Sequence, residues 1–347
     1  MDAFYVSVEL MRRPGLRGRP VVVAGSGPRA VVTTASYEAR KFGIGSAIPA
    51  SRARRLCPDA VFITPDFDAY RESSRRVMDR VRTQMETVEV VGLDEAYLDL
   101  SGLVAPRAAM RRLVTEIRAD TGLTASIGIG PNKLVAKVAS DAEKPAGFVA
   151  LTREQACERF AGASPRLLPG IGAKTAERLE QLGIATIAQL AATSEEVLSE
   201  RFGSRMGPYL RRRAQFEDGG IVSAEQRVAV SESRETTFNS DISDRAEQAE
   251  VLRRLTGQLC AGLARHERRG RTIAIKVRLD DFTTVTRART LPAATNDPAL
   301  VAEIACTLLE EYAPPRPVRL LGVRIAAFAD EAEAAAAEDA PQLALPL

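Results

Sequence analysis

Histidine is nearly missing from this chain of 347 residues: His266 is the only one. That excludes histidine-based metal clusters, Ser-His-Asp triads and most imidazole acid–base chemistry. Cysteine is scarce as well. Cys57, Cys157, Cys260 and Cys306 are widely separated with no CxxC, so neither a zinc site nor a disulfide framework is readable, and a reducing, cytoplasmic setting is expected. No apolar run reaches the roughly 18 residues of a membrane span, and no signal-peptide pattern opens the chain. No membrane partner is expected. Basic residues are absent after Arg324, where Asp330, Glu331, Glu333, Glu338 and Asp339 remain. What is present is a chain with 45% apolar and 27% charged residues, which excludes wholesale disorder. At roughly 100–200 residues per domain it is long enough for two to four domains. An enzyme built from this inventory would work with carboxylates and a hard metal ion.

The net charge of +3 understates how basic the body is. Residues 1–324 carry 48 basic against 40 acidic side chains, a net +8, and such a body points towards a polyanion. Along the chain the first third mixes both periodicities. Strands are expected at Val21–Val23, Val31–Thr34, Val88–Val91, Tyr97–Leu100 and Ala125–Ile129, with a hairpin loop at Gly25–Pro28. Helices are expected at Ser51–Leu56, Asp68–Met85 and Ala108–Asp120, and one opened by Pro131 that runs to about Asp141. Residues 165–215 read as short helices punctuated by glycine. Asp218-Gly219-Gly220 and the polar run to Ser233 read as a linker. Residues 234–326 return to α/β, with strands at Thr272–Leu279, Thr283–Thr290 and Val318–Ala326 and helices near Arg245–His266 and Pro298–Tyr312.

Five segments could carry chemistry. Leu93-Asp94-Glu95-Ala96-Tyr97-Leu98-Asp99 sets adjacent carboxylates on a turn between two strands. Magnesium takes oxygen ligands and keeps several waters, so two carboxylates with substrate phosphates suit it. Two such ions about 3.5–4 Å apart would serve phosphoryl transfer, although a solvated turn has the same composition. In Ala35–Gly43, Tyr37 and Arg40 share a helical face, and the guanidinium fork matches phosphate geometry. An exposed helix turn would look alike. Pro131–Asp141 puts Lys133 and Lys137 on one face and an apolar core stripe on another, with Lys144 just beyond. Leu168-Pro169-Gly170-Ile171-Gly172-Ala173-Lys174 resembles a helix-hairpin-helix, whose glycines bare backbone N–H groups for a nucleic-acid backbone. Finally, Gln342, Leu343, Leu345 and Leu347 form an apolar peptide behind an acidic stretch, either a frayed end or a docking peptide.

Taken together and in this order, the segments resemble the Y-family DNA polymerases, of the DinB type, over nearly the whole chain. The resemblance implies a multidomain α+β right hand. Its parts are a ferredoxin-like palm (1–17 and 71–164), small fingers (18–70), a helix-hairpin-helix thumb (165–218), a linker (219–233), an α/β little finger (234–328) and an acidic tail (329–347). It implies that Asp94 and Glu95 hold two magnesium ions, with Glu95 the catalytic acid. It implies further that Tyr37, Arg40 and Lys144 bind the deoxynucleoside triphosphate and that Tyr5 is the steric gate against a ribose hydroxyl. Lys133, Lys137, Gly170, Gly172 and Lys174 would hold primed template DNA, and the C-terminal peptide would dock on a sliding clamp. A monomer copying past lesions without proofreading is the expected protein.

Residues Met1–Glu9 match the family's opening strand with one departure. That strand carries two aspartates one residue apart, of which the first is the shared magnesium ligand. Met1 stands directly after the place of that first aspartate, and Asp2 matches the second. The expectation is a start placed at an internal methionine of the strand. The competing expectation is a DNA-binding, clamp-docking protein without chemistry.

Overall fold

The computed structural model describes residues 1–225 and 228–329. These fall into two compact units, a first reaching to residue 226 (apart from residues 27–29) and a second from residue 227. The clamp-peptide residues Gln342, Leu343, Leu345 and Leu347 lie outside the described residues.

The first unit opens with helix α1 (Phe4–Arg12), where a strand was expected. The Val-Ser-Val alternation of residues 6–8 reads as extended, but Ala3 turns left-handed at φ 41° and the chain then coils. Phe4 and Val8, four apart, are both buried in the palm core, so tertiary burial overrides the local pattern. Strands β1 (Val21–Ala24) and β2 (Val32–Ala35) pair antiparallel as the sequence indicates. Helices α2 (Tyr37–Arg40) and α3 (Ala50–Leu56) follow. Strand β3 (Val61–Ile63) then completes a sheet of order β2-β1-β3.

The first unit continues with helix α4 (Phe67–Arg82), strands β4 (Val88–Val90) and β5 (Ala96–Leu98), and helix α5 (Pro106–Thr121), so that α4 crosses the expected boundary at residue 70. Strand β6 (Ile127–Ile129), helix α6 (Lys133–Ala142) and strand β7 (Phe148–Ala150) follow. Strands β4 and β5 pair antiparallel, whereas β6 and β7 pair parallel. Pro131 does not occupy the first turn of α6. Asn132 is the cap, its side chain accepting from the Val135 N–H at 2.9 Å and donating to the Phe216 carbonyl at 2.9 Å. A residue that satisfies both an orphan N–H and a distant carbonyl outcompetes proline for the helix start. An apolar cleft between β5 and β6, floored by Val77, Val81, Leu113 and Ile117, opens beside Asp94 and Glu95.

Helix α7 (Arg153–Phe160) leads into four short helices: α8 (Ala173–Glu180), α9 (Ile187–Ala192), α10 (Glu195–Phe202) and α11 (Met206–Ala214). Leu168, Ile171, Leu179, Ile184, Ile187 and Leu190 are buried in one core, the frame that the glycine-punctuated segment announced.

The second unit contains strand β8 (Ser231–Ile242), helix α12 (Arg245–Ala264) and strands β9 (Gly270–Leu279) and β10 (Thr284–Thr295). Helix α13 (Pro298–Tyr312) and strand β11 (Val318–Phe328) complete it. The sheet order is β10-β9-β11-β8, antiparallel throughout. Ile273, Ile275, Val277 and Leu279 alternate into a core shared with Leu252, Leu259, Val301 and Leu308 of the two helices. Strand β8 starts at Ser231, inside the expected linker and before the expected domain start at 234. Its polar sequence pairs on one side only, with β11, and so never needed an apolar stripe on both faces.

Candidate active site

The turn between β4 and β5 carries Asp94 and Glu95. It is closed by the Val91 and Gly92 N–H groups donating to the Glu95 carbonyl, at 3.0 and 3.3 Å. The Met1 nitrogen donates to the Asp94 carbonyl at 2.7 Å. No described residue hydrogen-bonds or pairs with the Asp94 carboxylate, and Asp94 is among the residues that line the cleft. Glu95 instead is paired with Lys137 of α6. Lys137 also lies 3.4 Å from Asp141, and Asp141 lies 2.7 Å from Lys144. Burial alone would lower the Lys137 ammonium, but Glu95 and Asp141 together push it above the ordinary lysine value. Burial works against the Asp141 carboxylate too, yet Lys144 and Lys137 hold it below the usual carboxylate range.

Asp2 sits beneath this group, fully buried. Its carboxylate accepts from the Ser126 hydroxyl at 2.7 Å and from the Ala146 N–H at 2.9 Å. Both oxygens are thereby used to tie the residues ahead of α1 to Ser126, just before β6, and to Ala146, just after Lys144, a structural role. Tyr37 and Arg40 do share a face of α2: the guanidinium lies 4.6 Å from the Tyr37 ring centre, its Nε donating to the Ala35 carbonyl at 3.0 Å. The Tyr37 hydroxyl is buried with no hydrogen-bond partner, and burial pushes its pKa up, helped by the nearby Asp2 charge. An orphaned hydroxyl at such a place is costly unless a ligand oxygen completes it. Tyr5 is half-buried, stacked on Tyr70 at 4.5 Å between ring centres and edge-on to Phe67 at 6.0 Å. Burial raises its phenol pKa, with the Asp94 charge adding to the effect.

Lys133 and Lys137 share one face of α6, as the spacing indicates, but neither ammonium points away from the palm. Lys133 is paired with Glu89 and lies 5.5 Å from the Tyr97 ring centre, and Lys137 is held as described. Asp141 joins this group as well, and its spacing is legible in the sequence. It stands four positions after Lys137 and three before Lys144, the spacings at which helical charges meet. Among the described residues no group of three or more acidic, histidine or cysteine side chains gathers as a metal cluster. Asp94 and Glu95 nonetheless fit magnesium, which needs only one or two carboxylates where water and phosphate oxygens supply the rest.

In the helical hairpin, Gly170 adopts φ +92°, and a Cβ there would stand 2.8 Å from the Tyr209 hydroxyl. The conformation requires glycine, and a side chain there would also have to displace the Tyr209 hydroxyl. Gly172 caps α8 with no neighbour within 4 Å of a would-be Cβ, leaving the N–H groups behind it open, and Lys174 is exposed beside them.

Comparison with solved structures places this arrangement. A Y-family DNA polymerase chimera of Dbh and Dpo4 superposes with a TM-score of 0.82 at 26% identity, covering 94% of this chain and 96% of that one. The class is therefore the Y-family polymerase fold, a multidomain α+β architecture. The first 141 residues match the impB/mucB/samB family, residues 229–344 match that family's C-terminal domain, and residues 166–215 match a DNA polymerase-iota thumb domain. DNA polymerase IV of Streptomyces coelicolor is 42% identical over 95% of this chain and 70% of its own length. DNA polymerase IV of Alkalilimnicola ehrlichii is also 42% identical, over 94% of this chain and 92% of its own. The chain belongs to the impB/mucB/samB family of Y-family DNA polymerases, the DinB-type group named DNA polymerase IV.

Proposed function

We propose that this DNA-directed DNA polymerase performs translesion synthesis, extending primed template DNA by two-metal nucleotidyl transfer without proofreading. The observation that carries the chemistry is the Asp94 carboxylate, unpaired among the described side chains and adjacent to Glu95 at the mouth of the palm cleft. Asp94 and Glu95 would hold magnesium, which when bound supplies charge neutralisation at the transferring phosphoryl group. Glu95 is also the proposed catalytic acid. Tyr37, Arg40 and Lys144 bind the triphosphate, and the partnerless Tyr37 hydroxyl supports that assignment. Tyr5, fixed by its stack on Tyr70, is the gate that excludes a ribose hydroxyl.

Gly170, Gly172 and Lys174 grip the DNA backbone through bared N–H groups and one cation, which predicts an affinity that falls with salt. Lys133 and Lys137, proposed from sequence as DNA contacts, would first have to leave their carboxylate partners. A cytoplasmic monomer that docks on a sliding clamp through Gln342, Leu343, Leu345 and Leu347 completes the reading. No described helix is long and apolar enough to cross a membrane. Deleting residues 342–347 should abolish clamp binding, and unchanged binding removes that part.

Primer extension with magnesium and single deoxynucleotides, beside Asp94→Asn, tests the chemistry. The expected result is template-directed extension that falls by about a hundredfold or more in the variant while its thermal midpoint is kept. Tight primer–template binding with no extension by either protein would support the DNA-binding, clamp-docking reading instead.

A further inference from the structure

We infer that Lys137 and Asp141 are positioning residues that tie Glu95, on the metal side of the site, to Lys144 on the triphosphate side. The inference rests on the nucleotide-binding reading above and extends it to two residues that touch neither ligand. Four side chains of alternating sign form one line: Glu95 to Lys137, Lys137 to Asp141 at 3.4 Å, and Asp141 to Lys144 at 2.7 Å. Three of the four project from α6 or the turn after it, at spacings of four and three residues. That helix is firmly seated. Leu134, Val135 and Val138 are buried, and Gly128 lets β6 approach so closely that a Cβ there would lie 2.0 Å from the Ala136 carbonyl oxygen. Charges on such an element keep their spacing when ligands come and go.

The Lys137 and Lys144 side chains are each only 24% exposed, so their interactions are less screened than those of an ordinary surface pair. A divalent cation arriving at Glu95 competes with Lys137 for the same carboxylate oxygen. Lys137, released, turns to its other partner, Asp141. Asp141 in turn holds Lys144 and orients that ammonium for phosphate oxygens. With the line broken at Asp141, Lys144 loses the group that orients it.

The test is a binding cycle on the full chain with a primer ending in a dideoxynucleotide, so that no bond forms. Equilibrium affinity for the templated deoxynucleoside triphosphate in magnesium is measured for wild type, Asp141→Asn, Lys144→Ala and the double variant. Each single change should weaken binding by about tenfold, the scale of an outer partner to a binding group. The double variant should be no weaker than Lys144→Ala alone, and Asp141→Glu should recover most of the loss. Additive losses, or an Asp141→Asn protein that binds like wild type, overturn the inference. So does an Asp141→Asn loss that merely tracks a lowered thermal midpoint and is not recovered by Asp141→Glu.

Lys137→Met probes the other end with the opposite sign. Removing the competitor for Glu95 should lower the magnesium concentration that half-saturates nucleotide binding by about fivefold, near the small end of a two-site coupling. Structural damage would raise it, and no change or a rise counts against the relay. Wild-type protein that holds primer–template but binds no nucleotide would sink the nucleotide reading and the relay together. Wild-type nucleotide binding with additive variants would sink the relay alone.

Discussion

The second unit and the carboxylate turn reach their shapes by opposite means. Strands β8 to β11 run for 10 to 12 residues each, and the two central strands β9 and β11 line a core of fully buried aliphatic side chains. Strands β4 and β5, which carry Asp94 and Glu95 between them, are three residues long, and every residue of β5 is only half-buried. A long ladder spreads its stability over many bonds, so no single residue fixes the whole. The turn has no such reserve. Its position comes from a few close or polar fastenings: Gly128 against the backbone of α6, Asp2 on Ser126 and Ala146, and Glu9 on Tyr70. Precision at the site is bought by local fastening rather than by sheet length.

The sharpest way to break this comparison is Gly128→Ala. Besides the 2.0 Å clash with the Ala136 oxygen, the new methyl would stand 2.3 Å from the Ser140 nitrogen, and both are backbone atoms of α6. Neither can swing aside, so the helix must move. A loss of about 4 kcal/mol or more is expected, at the far end of overpacking. Hydrogen exchange should show it across the first unit, with the protection of β9 and β11 unchanged. Exchange of α6 amides at the wild-type rate would mean that the close approach is not what holds the site.

The matching substitution in the second unit is Leu321→Ala. Leu321 is fully buried on β11, the strand that pairs with both β8 and β9. Truncation should cost about 3 kcal/mol from the lost transfer energy and the cavity, read as a lowered denaturant midpoint for that unit. Nucleotide affinity at the palm should be untouched. If it fell with the stability, the two units would not be as separable as their cores are.

The same contrast decides what the sequence made legible. Strands β9 and β11 of the second unit were readable because their apolar residues run over about ten positions, whereas the edge strand β8 hid in a polar run. Asp94 and Glu95 stand out as candidates because they are an acidic pair between two short strand-like runs, and the hairpin glycines because Leu168, Ile171, Leu179 and Ile184 frame them. Helix α1 was not readable: its Val-Ser-Val stretch has the period of a strand, and only burial against the palm selects the coil. Nor were the fastenings, since the Asp2–Ser126 and Glu9–Tyr70 bonds join residues 124 and 61 positions apart. A single chain announces what is periodic or adjacent. Pairings across that distance become visible only with the fold.

The smallest effect tests the last of these fastenings. Glu9 is fully buried in α1 and accepts from the Tyr70 hydroxyl at 2.7 Å, while Arg13 pairs with its other oxygen and Arg12 lies 3.6 Å away. Tyr70→Phe keeps the ring under Tyr5 and leaves Glu9 its two cations, so about 2 kcal/mol should be lost, the worth of one hydrogen bond to a charged group. Burial, then the Glu9 partnership, pushes the Tyr70 phenol above its ordinary value near 10. A group whose folded pKa is raised contributes fully below its unfolded pKa, and that contribution drains away as pH climbs from there towards the folded value. The stability gap between wild type and Tyr70→Phe, taken from urea midpoints, should therefore be constant from pH 7 to 9 and narrow above about pH 10. A gap that stays flat or widens at high pH would mean that the neutral phenol is not what Glu9 holds. The support beneath the Tyr5 ring would then be the stacked ring alone.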